Sequence, residues 1–314
     1  MRICVFDVMD YEWEFFNQYP NATGYKEALN EKTIELVHGY DAISINTHTE
    51  LNAKMIDELK KRGVMHISTR TVGYEHIDIE HAKKLDVCVY SSSIDSKGVS
   101  SFTIMQILSL IRKLPISQNN IKNKDFSLDG LCGRDLSSMV VGVIGAGRIG
   151  SRVIKLLSAF GTKVLVYDRS TSLKIPYECE FCDIDELLKK SDIITLHMPL
   201  NKENYHIINS QSIEKMKDGV FIINNSRGGL LNTTDVCNAL EKGKIAGLAI
   251  DVLEEEAEFI HKKNVDCAHS IDVLERLAKF DNVLYTPHCA FYTAETVRSL
   301  FDEAMDFTRE PIKS

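Results

Sequence analysis

An α/β fold of two domains with a ligand cleft between them is predicted by three observations. Short apolar runs rich in β-branched residues alternate with amphipathic stretches of helical length, the pattern of parallel strands joined by crossover helices. The runs fall into two series, separated by one long apolar helix pattern. With 314 residues, of which 44% are hydrophobic and 26% charged, the chain can build two cores of ordinary size.

The first series predicts strands at Ile3 to Phe6, Ala42 to Ile45, Met65 to Ser68 and Val87 to Tyr90, with a helix over Met55 to Arg62. The segment Ser101 to Leu114 is too continuously apolar for a surface helix, so it reads as a buried connecting helix. The second series begins at Val140 and continues through Val164 to Tyr167, Ile193 to Leu196, Val220 to Ile223, Ala246 to Ile250 and Val283 to Tyr285. After Pro287, Ala294 to Thr308 reads as a helix expected to cross back onto the first domain. Internal repeats and low-complexity segments are not found.

Charge and composition narrow the partners. Lys and Arg number 37 against 45 Asp and Glu, a formal charge of −8 that argues against wrapping nucleic acid and favours a small-molecule ligand. No apolar run approaches the roughly 18 residues of a membrane span, and MRICVFDVMD has acidic residues where a secretory signal would be apolar. No membrane partner and a cytoplasmic location are therefore expected. The eight cysteines are scattered and expected to be free thiols. Cys179 and Cys182 form the one C-x-x-C, without a second ligand pair for zinc, so no metal is expected.

The strongest local signal is the run from Val140 to Gly150, an apolar strand leading into Gly145, Gly147 and Gly150 at G-x-G-x-x-G spacing and then a helix pattern. Gly145 permits a tight turn, Gly147 lets backbone amides approach a pyrophosphate, and Gly150 lets helix and strand pack closely. The next strand ends in Asp168, placed to accept hydrogen bonds from an adenosine ribose and to repel a 2′-phosphate, which favours NAD over NADP. Arg169 tempers that preference, because a basic neighbour could swing toward a 2′-phosphate.

Hydride transfer on a hydroxy acid needs a cation for the carboxylate, an acid/base near the reacting oxygen, and a group to tune it. Arg227 lies directly after the strand Val220 to Ile223 and before two glycines, at the carboxyl edge where open α/β sheets bind ligands. His288 follows Pro287 at the end of another strand, and imidazole titrates near neutrality. The acidic run Asp251 to Glu256 offers several carboxylates that could pair with His288, and its spacing does not choose among them. The plainer readings are a solvated loop arginine, a structural histidine beside proline and a solvated acidic face.

These pieces, in this order, resemble the D-specific 2-hydroxyacid dehydrogenases, closest of all the D-lactate dehydrogenase branch, including the type associated with glycopeptide resistance. The resemblance covers nearly the whole chain. It rests on Thr71 to Asp78, the glycine loop ending in Asp168, Leu196 to Leu200, Asn224 to Gly229, Ala249 to Glu256 and Thr286 to Thr293. It implies a flavodoxin-like substrate domain over 1–98, a Rossmann-type NAD-binding domain over 99–290 and a returning helix over 291–314. It also implies carboxylate binding by Arg227, proton transfer by His288, and Glu256 as the acid paired with the histidine. Cofactor contacts are implied at Arg148 and Ile149, at Asp168, at Met198, Pro199 and Asn204, at Asn225, Ser226 and Arg227, and at Asp251. Val72 and Gly73 resemble backbone donors to the substrate carboxylate, and Phe291 with Tyr292 supplies an aromatic wall.

Two departures bear on the substrate. Where D-lactate dehydrogenases read Tyr-Ser-Pro before the connecting helix, this chain reads Ile94-Asp95-Ser96, and an acidic position of the family is Ser101. Cys289 stands where relatives carry threonine, a packing substitution that could make activity sensitive to oxidants. The leading expectation is NADH-dependent reduction of a 2-keto acid to the D-hydroxy acid, pyruvate to D-lactate first. Alternatives are a D-2-hydroxyisocaproate or D-phenyllactate type enzyme and, from another class, an NAD-sensing co-repressor on the same fold. A homodimer, joined through the long helices flanking the nucleotide domain, is expected from the relatives.

Overall fold

In the computed structural model, residues 1–93, 96–170, 173–254, 256, 259–261 and 268–312 are described, the side chains of 268–272 excepted. The chain forms two compact units, one made of Met1–Asp95 with Phe291–Ser314 and the other of Ser96–Ala290. The second unit takes up the chain at Ser96, three residues before the sequence-based boundary, because the connecting helix already begins at Lys97.

Unit 1 holds a parallel sheet of β1 (Ile3–Val5), β2 (Ala22–Gly24), β3 (Ala42–Ile45), β4 (His66–Thr69) and β5 (Cys88–Ser91) in the order β2-β1-β3-β4-β5, the flavodoxin-like arrangement. Alternation along β1 divides its side chains between two layers. Cys4 and Phe6 enter a core with Ile43, Ile45 and the apolar face of α1 (Ala53–Lys61), while α2 (Ile79–Lys84) adds Ala82 to the same layer. Ile3 and Val5 face the other way, toward Val297, Phe301 and Ala304 of the C-terminal helix, Ala294–Met305. Phe301 is fully buried, and Phe15, Phe16 and Tyr19 surround its ring at 5.2–5.7 Å. Helix α1 is started by Asn52, whose side chain accepts from the Met55 amide, and gives way at Gly63, whose φ of 92° suits glycine.

A buried ion pair braces this unit. Arg70 Nε lies 2.8 Å from Glu12 Oε1, both residues 3% exposed, and the guanidinium also donates to the Phe6 and Asp7 carbonyls and to Ser44 Oγ. Every edge of that cation has an acceptor, which is what makes its burial tolerable. The bonds fix the start of the loop that carries Val72 and Gly73.

Unit 2 opens with α3 (Lys97–Ile111) and α4 (Leu114–Lys122). The sequence predicts one helix over Ser101 to Leu114. It stops at Ile111 because Lys113 turns left-handed (φ 51°) and Pro115 can neither donate an amide nor clear the carbonyl four residues before it. The sheet comprises β6 (Val140–Ile144), β7 (Lys163–Tyr167), β8 (Glu180–Phe181), β9 (Ile193–Leu196), β10 (Val220–Asn224), β11 (Ile245–Ile250) and β12 (Val283–Tyr285). Its order, β12-β11-β10-β9-β6-β7-β8, reverses direction beside β6, the crevice where doubly wound sheets hold nucleotides. The crossovers are α5 (Arg148–Ala159), α6 (Ile184–Lys190), α7 (Ser210–Lys215), α8 (Thr233–Glu241) and α9 (Ala268–Leu277); the C-terminal helix of unit 1 is α10. Strands β2 and β8 are absent from the sequence-based expectation: they are three and two residues long, lie at sheet edges and are partly or fully exposed, so no apolar run marks them. Among the described residues no single helix is long and apolar enough to cross a membrane.

Candidate active site

The glycine loop closes the turn between β6 and α5. Gly145 has a φ of 93°, and a Cβ there would stand 2.6 Å from the His197 carbonyl. At Gly150 a Cβ would stand 2.0 Å from the Gly145 carbonyl, so the start of α5 is pressed against the strand end. A Cβ at Gly147 would meet nothing within 4 Å. Gly147 caps α5 without a side chain, and no acidic residue occupies the first turn, so the amides of Arg148 and Ile149 keep the positive character of the helix end. This open, donor-rich turn fits a pyrophosphate.

Beside it lies a cavity of about 300 Å³ lined by Gly145, Gly147, Asp168, Met198, Pro199 and Asn204, six residues named from the sequence. Asp168 is held by two amides, with Oδ2 accepting from Ala146 N at 2.7 Å and Oδ1 from Ser170 N at 2.8 Å. Asn204 Nδ2 donates to the Pro199 carbonyl at 2.7 Å, bracing the wall that Met198 and Pro199 form. The cavity also takes in Arg169, His197 and Glu203. His197 was not singled out in the sequence. Its Nε2 is 2.9 Å from Thr195 Oγ1, its Nδ1 has no partner among the described residues, and burial pushes its pKa down to about 3, so the ring is neutral.

The acid/base group stands on the same unit. His288 has a left-handed backbone (φ 51°) and its Nδ1 lies 2.6 Å from Glu256 Oε1. The acidic run thus divides among three tasks. Glu256 takes His288. Glu254 accepts from Tyr205 Oη at 2.5 Å and pairs with His206 Nε2 at 3.0 Å. Asp251, 1% exposed, accepts from the Thr286 hydroxyl and from the Cys289 and Ala290 amides at 2.9 and 2.7 Å, stapling the segment that presents His288. Burial, and the Asp251 carboxylate after it, push the Cys289 thiol up, which disfavours the reactive thiolate.

Arg227 sits in the loop after β10, half-buried, with Nη1 donating to the Ser226 carbonyl. That loop is held on several sides: Asn224 Nδ2 donates to the Arg227 carbonyl, Ser226 Oγ to the Leu196 carbonyl, and Asn225 Nδ2 to Thr103 Oγ1 on α3. Gly228 approaches so near the Leu253–Glu254 backbone that a Cβ would stand 2.0 Å from the Leu253 carbonyl carbon. The loops of Arg227 and of Glu256 are therefore in direct backbone contact.

On unit 1, Val72 is exposed, Gly73 is half-buried, and neither amide donates a hydrogen bond among the described residues. Phe291 packs with Tyr292 (ring centroids 6.0 Å apart), and Tyr292 meets Tyr11 edge-on at 5.0 Å. Ile94 and Asp95, the sequence departure, lie outside the described residues, as does Cys267. Cys179 and Cys182 are free and partly buried, and burial raises both thiols. No group of three His, Cys, Asp or Glu among the described residues is arranged to hold a metal.

Strand order, glycine turn and the carboxylate at the end of β7 put unit 2 in the class of dinucleotide-binding α/β proteins. Within that class, residues 104–290 match the D-isomer specific 2-hydroxyacid dehydrogenase, NAD binding domain family, and the chain belongs to that family. It is 38% identical over 309 residues to an aromatic 2-oxoacid reductase of Clostridium sporogenes, covering 96% of this chain and 93% of the relative. It is 40% identical over 274 residues to a D-specific alpha-keto acid dehydrogenase of Enterococcus faecium, covering 85% and 83%. Among solved structures it is similar to the D-lactate dehydrogenase of Aquifex aeolicus complexed with NAD and lactic acid, at a TM-score of 0.87 and 32% identity over 96% of this chain and 93% of that one.

Proposed function

We propose that the protein reduces a 2-keto acid to the D-2-hydroxy acid with NADH, with pyruvate to D-lactate the first reaction to test. The observation that carries this reading is the His288–Glu256 contact at 2.6 Å on the nucleotide-binding unit itself. With Nδ1 engaged by Glu256, Nε2 is the ring nitrogen assigned to the substrate in this reading. Arg227 binds the carboxylate of the keto acid through its fork of donors. His288 Nε2 gives its proton to the keto oxygen as the carbonyl carbon is reduced, and takes it back in the reverse direction. Glu256 orients the ring and balances its charge while the proton is held there. Bound NADH would supply the hydride from its nicotinamide; Asp168, Met198, Pro199 and Asn204 would hold its adenosine end, the 145–150 turn its pyrophosphate, and the Asn225, Ser226 and Asp251 loops its nicotinamide end.

A second reading, a larger aromatic or branched 2-keto acid as the preferred substrate, is supported by the aromatic group Tyr11, Phe291 and Tyr292 and by the similarity to the aromatic 2-oxoacid reductase of Clostridium sporogenes. Rates of NADH oxidation with pyruvate, 2-ketoisocaproate and phenylpyruvate separate the two, and chiral analysis of the product tests the D configuration. NADH binding without turnover of any of the three would instead favour a sensor.

In this reading, residues 1–98 with the returning 291–314 segment serve the substrate and 99–290 serve the nucleotide, and the enzyme works in the cytoplasm as a homodimer. Exposed Leu114 and Ile121 on α4, with Phe126 and Leu128 after it, support a joint between copies at that arm. Light scattering on the purified protein gives the mass that decides it.

A further inference from the structure

Arg169 Nη1 and Glu203 Oε2 are 2.9 Å apart, and both residues line the cavity that holds Asp168. Arg169 leaves the end of β7 directly after Asp168, while Glu203 comes from the turn after β9. That turn is internally braced: Asn201 Oδ1 accepts from the Glu203 and Asn204 amides at 2.9 and 3.1 Å, and Asn204 Oδ1 accepts from the Asn201 amide at 2.7 Å. The position of Glu203 is thus set by its backbone rather than by the ion pair. Asp168 is committed to the Ala146 and Ser170 amides.

Two carboxylates, each carried on a braced turn, therefore flank one cation. A ribose carrying a free 2′-hydroxyl needs acceptors, which Asp168 provides. A 2′-phosphate needs a cation, and among the residues lining the cavity that is Arg169, whose Nη1 is paired with Glu203. We propose that Glu203 is a specificity-determining residue of the nucleotide site: it repels a phosphorylated ribose and keeps Arg169 from answering it. The selection is built against NADPH as much as for NADH. This rests on the reading of the cavity as the adenosine end of the nucleotide site.

The Arg169 and Glu203 side chains are 65% and 77% exposed, so the pair is screened in the free protein, and its effect falls as salt rises. The substitution Glu203→Gln removes the charge and keeps the turn, whose bonds run through the residue 203 backbone. The test is titration of wild type, Glu203→Gln and Glu203→Gln/Arg169→Ala with NADH and with NADPH, read by nicotinamide fluorescence with no keto acid present, at low and high salt. The ratio of NADPH to NADH affinity is expected to rise about tenfold in Glu203→Gln at low salt, less at high salt, and to fall back in the double variant. An unchanged ratio in Glu203→Gln, in protein that binds NADH, overturns the proposal, and so does a double variant that keeps the full gain. Wild type that binds neither nucleotide overturns the reading of the cavity itself.

Discussion

His288 Nδ1 stands 2.6 Å from Glu256 Oε1, and the histidine reaches that place from a backbone with φ of 51°. A β-carbon in the left-handed region costs on the order of 1 kcal/mol, which the bonds from Asp251 to residues 286, 289 and 290 hold in place. Ring and backbone therefore make separable contributions.

Replacement of His288 by Asn, which tolerates the left-handed region, isolates the ring. Turnover of keto acid is expected to fall about 10³-fold in His288→Asn while NADH affinity is retained, with His288→Ala losing the same activity and some stability besides. Steady-state kinetics and a nucleotide titration check this, and near-normal turnover in His288→Asn would remove the histidine from proton transfer.

Lysine keeps the charge of Arg227 but not its fork. Arg227→Lys is expected to lower kcat/KM for the keto acid about 100-fold, with a raised KM and unaltered NADH binding. Equal loss of nucleotide affinity would show that the arginine serves the cofactor rather than the substrate.

Gly228 has no room for a methyl group. Because a Cβ would lie 2.0 Å from backbone of Leu253, Gly228→Ala is expected to destabilise the fold by about 3 kcal/mol and to weaken activity by moving the loops of Arg227 and Glu256 apart. Denaturant unfolding gives the first quantity, and keto-acid kinetics on the folded fraction the second.

The buried His197 links stability to pH. Its folded pKa near 3 lies below the ordinary imidazole value near 6.5, so the unfolded chain binds a proton that the folded chain does not, and stability falls as pH drops through that window. Between pH 6 and 4 the wild type is expected to lose about 1.4 kcal/mol per pH unit more than His197→Gln, which can still reach Thr195. Parallel slopes in urea titrations across this range would contradict a neutral, buried His197.

The strands with long apolar runs were legible in the sequence to within a residue or two, since a fully buried parallel strand writes its burial into composition. Ala42–Ile45 and Ile193–Leu196, buried throughout, appear with the expected bounds, as does the partly buried edge strand Val283–Tyr285. The glycine turn was legible for a related reason: its spacing is local, and three backbone approaches dictate it. Spacing alone could not divide the acidic run, and only the family resemblance pointed to Glu256, because its partners are distant in sequence, Glu256 taking a histidine 32 residues on and Glu254 a tyrosine 49 residues back. Arg70 and Glu12, 58 residues apart, were invisible for the same reason, as was His197, whose neutrality depends on walls supplied by other loops.

Unit 1 is discontinuous, with Ile3, Val5 and Ala42 covered by Val297, Phe301 and Ala304 of α10. During synthesis that face of the first sheet is covered only in part, by Phe15, Phe16 and Tyr19, until residues 294–305 have left the ribosome. Over that interval it is a target for chaperones and proteases, and interrupted translation would yield a nucleotide-binding unit tethered to a sticky, unfinished neighbour.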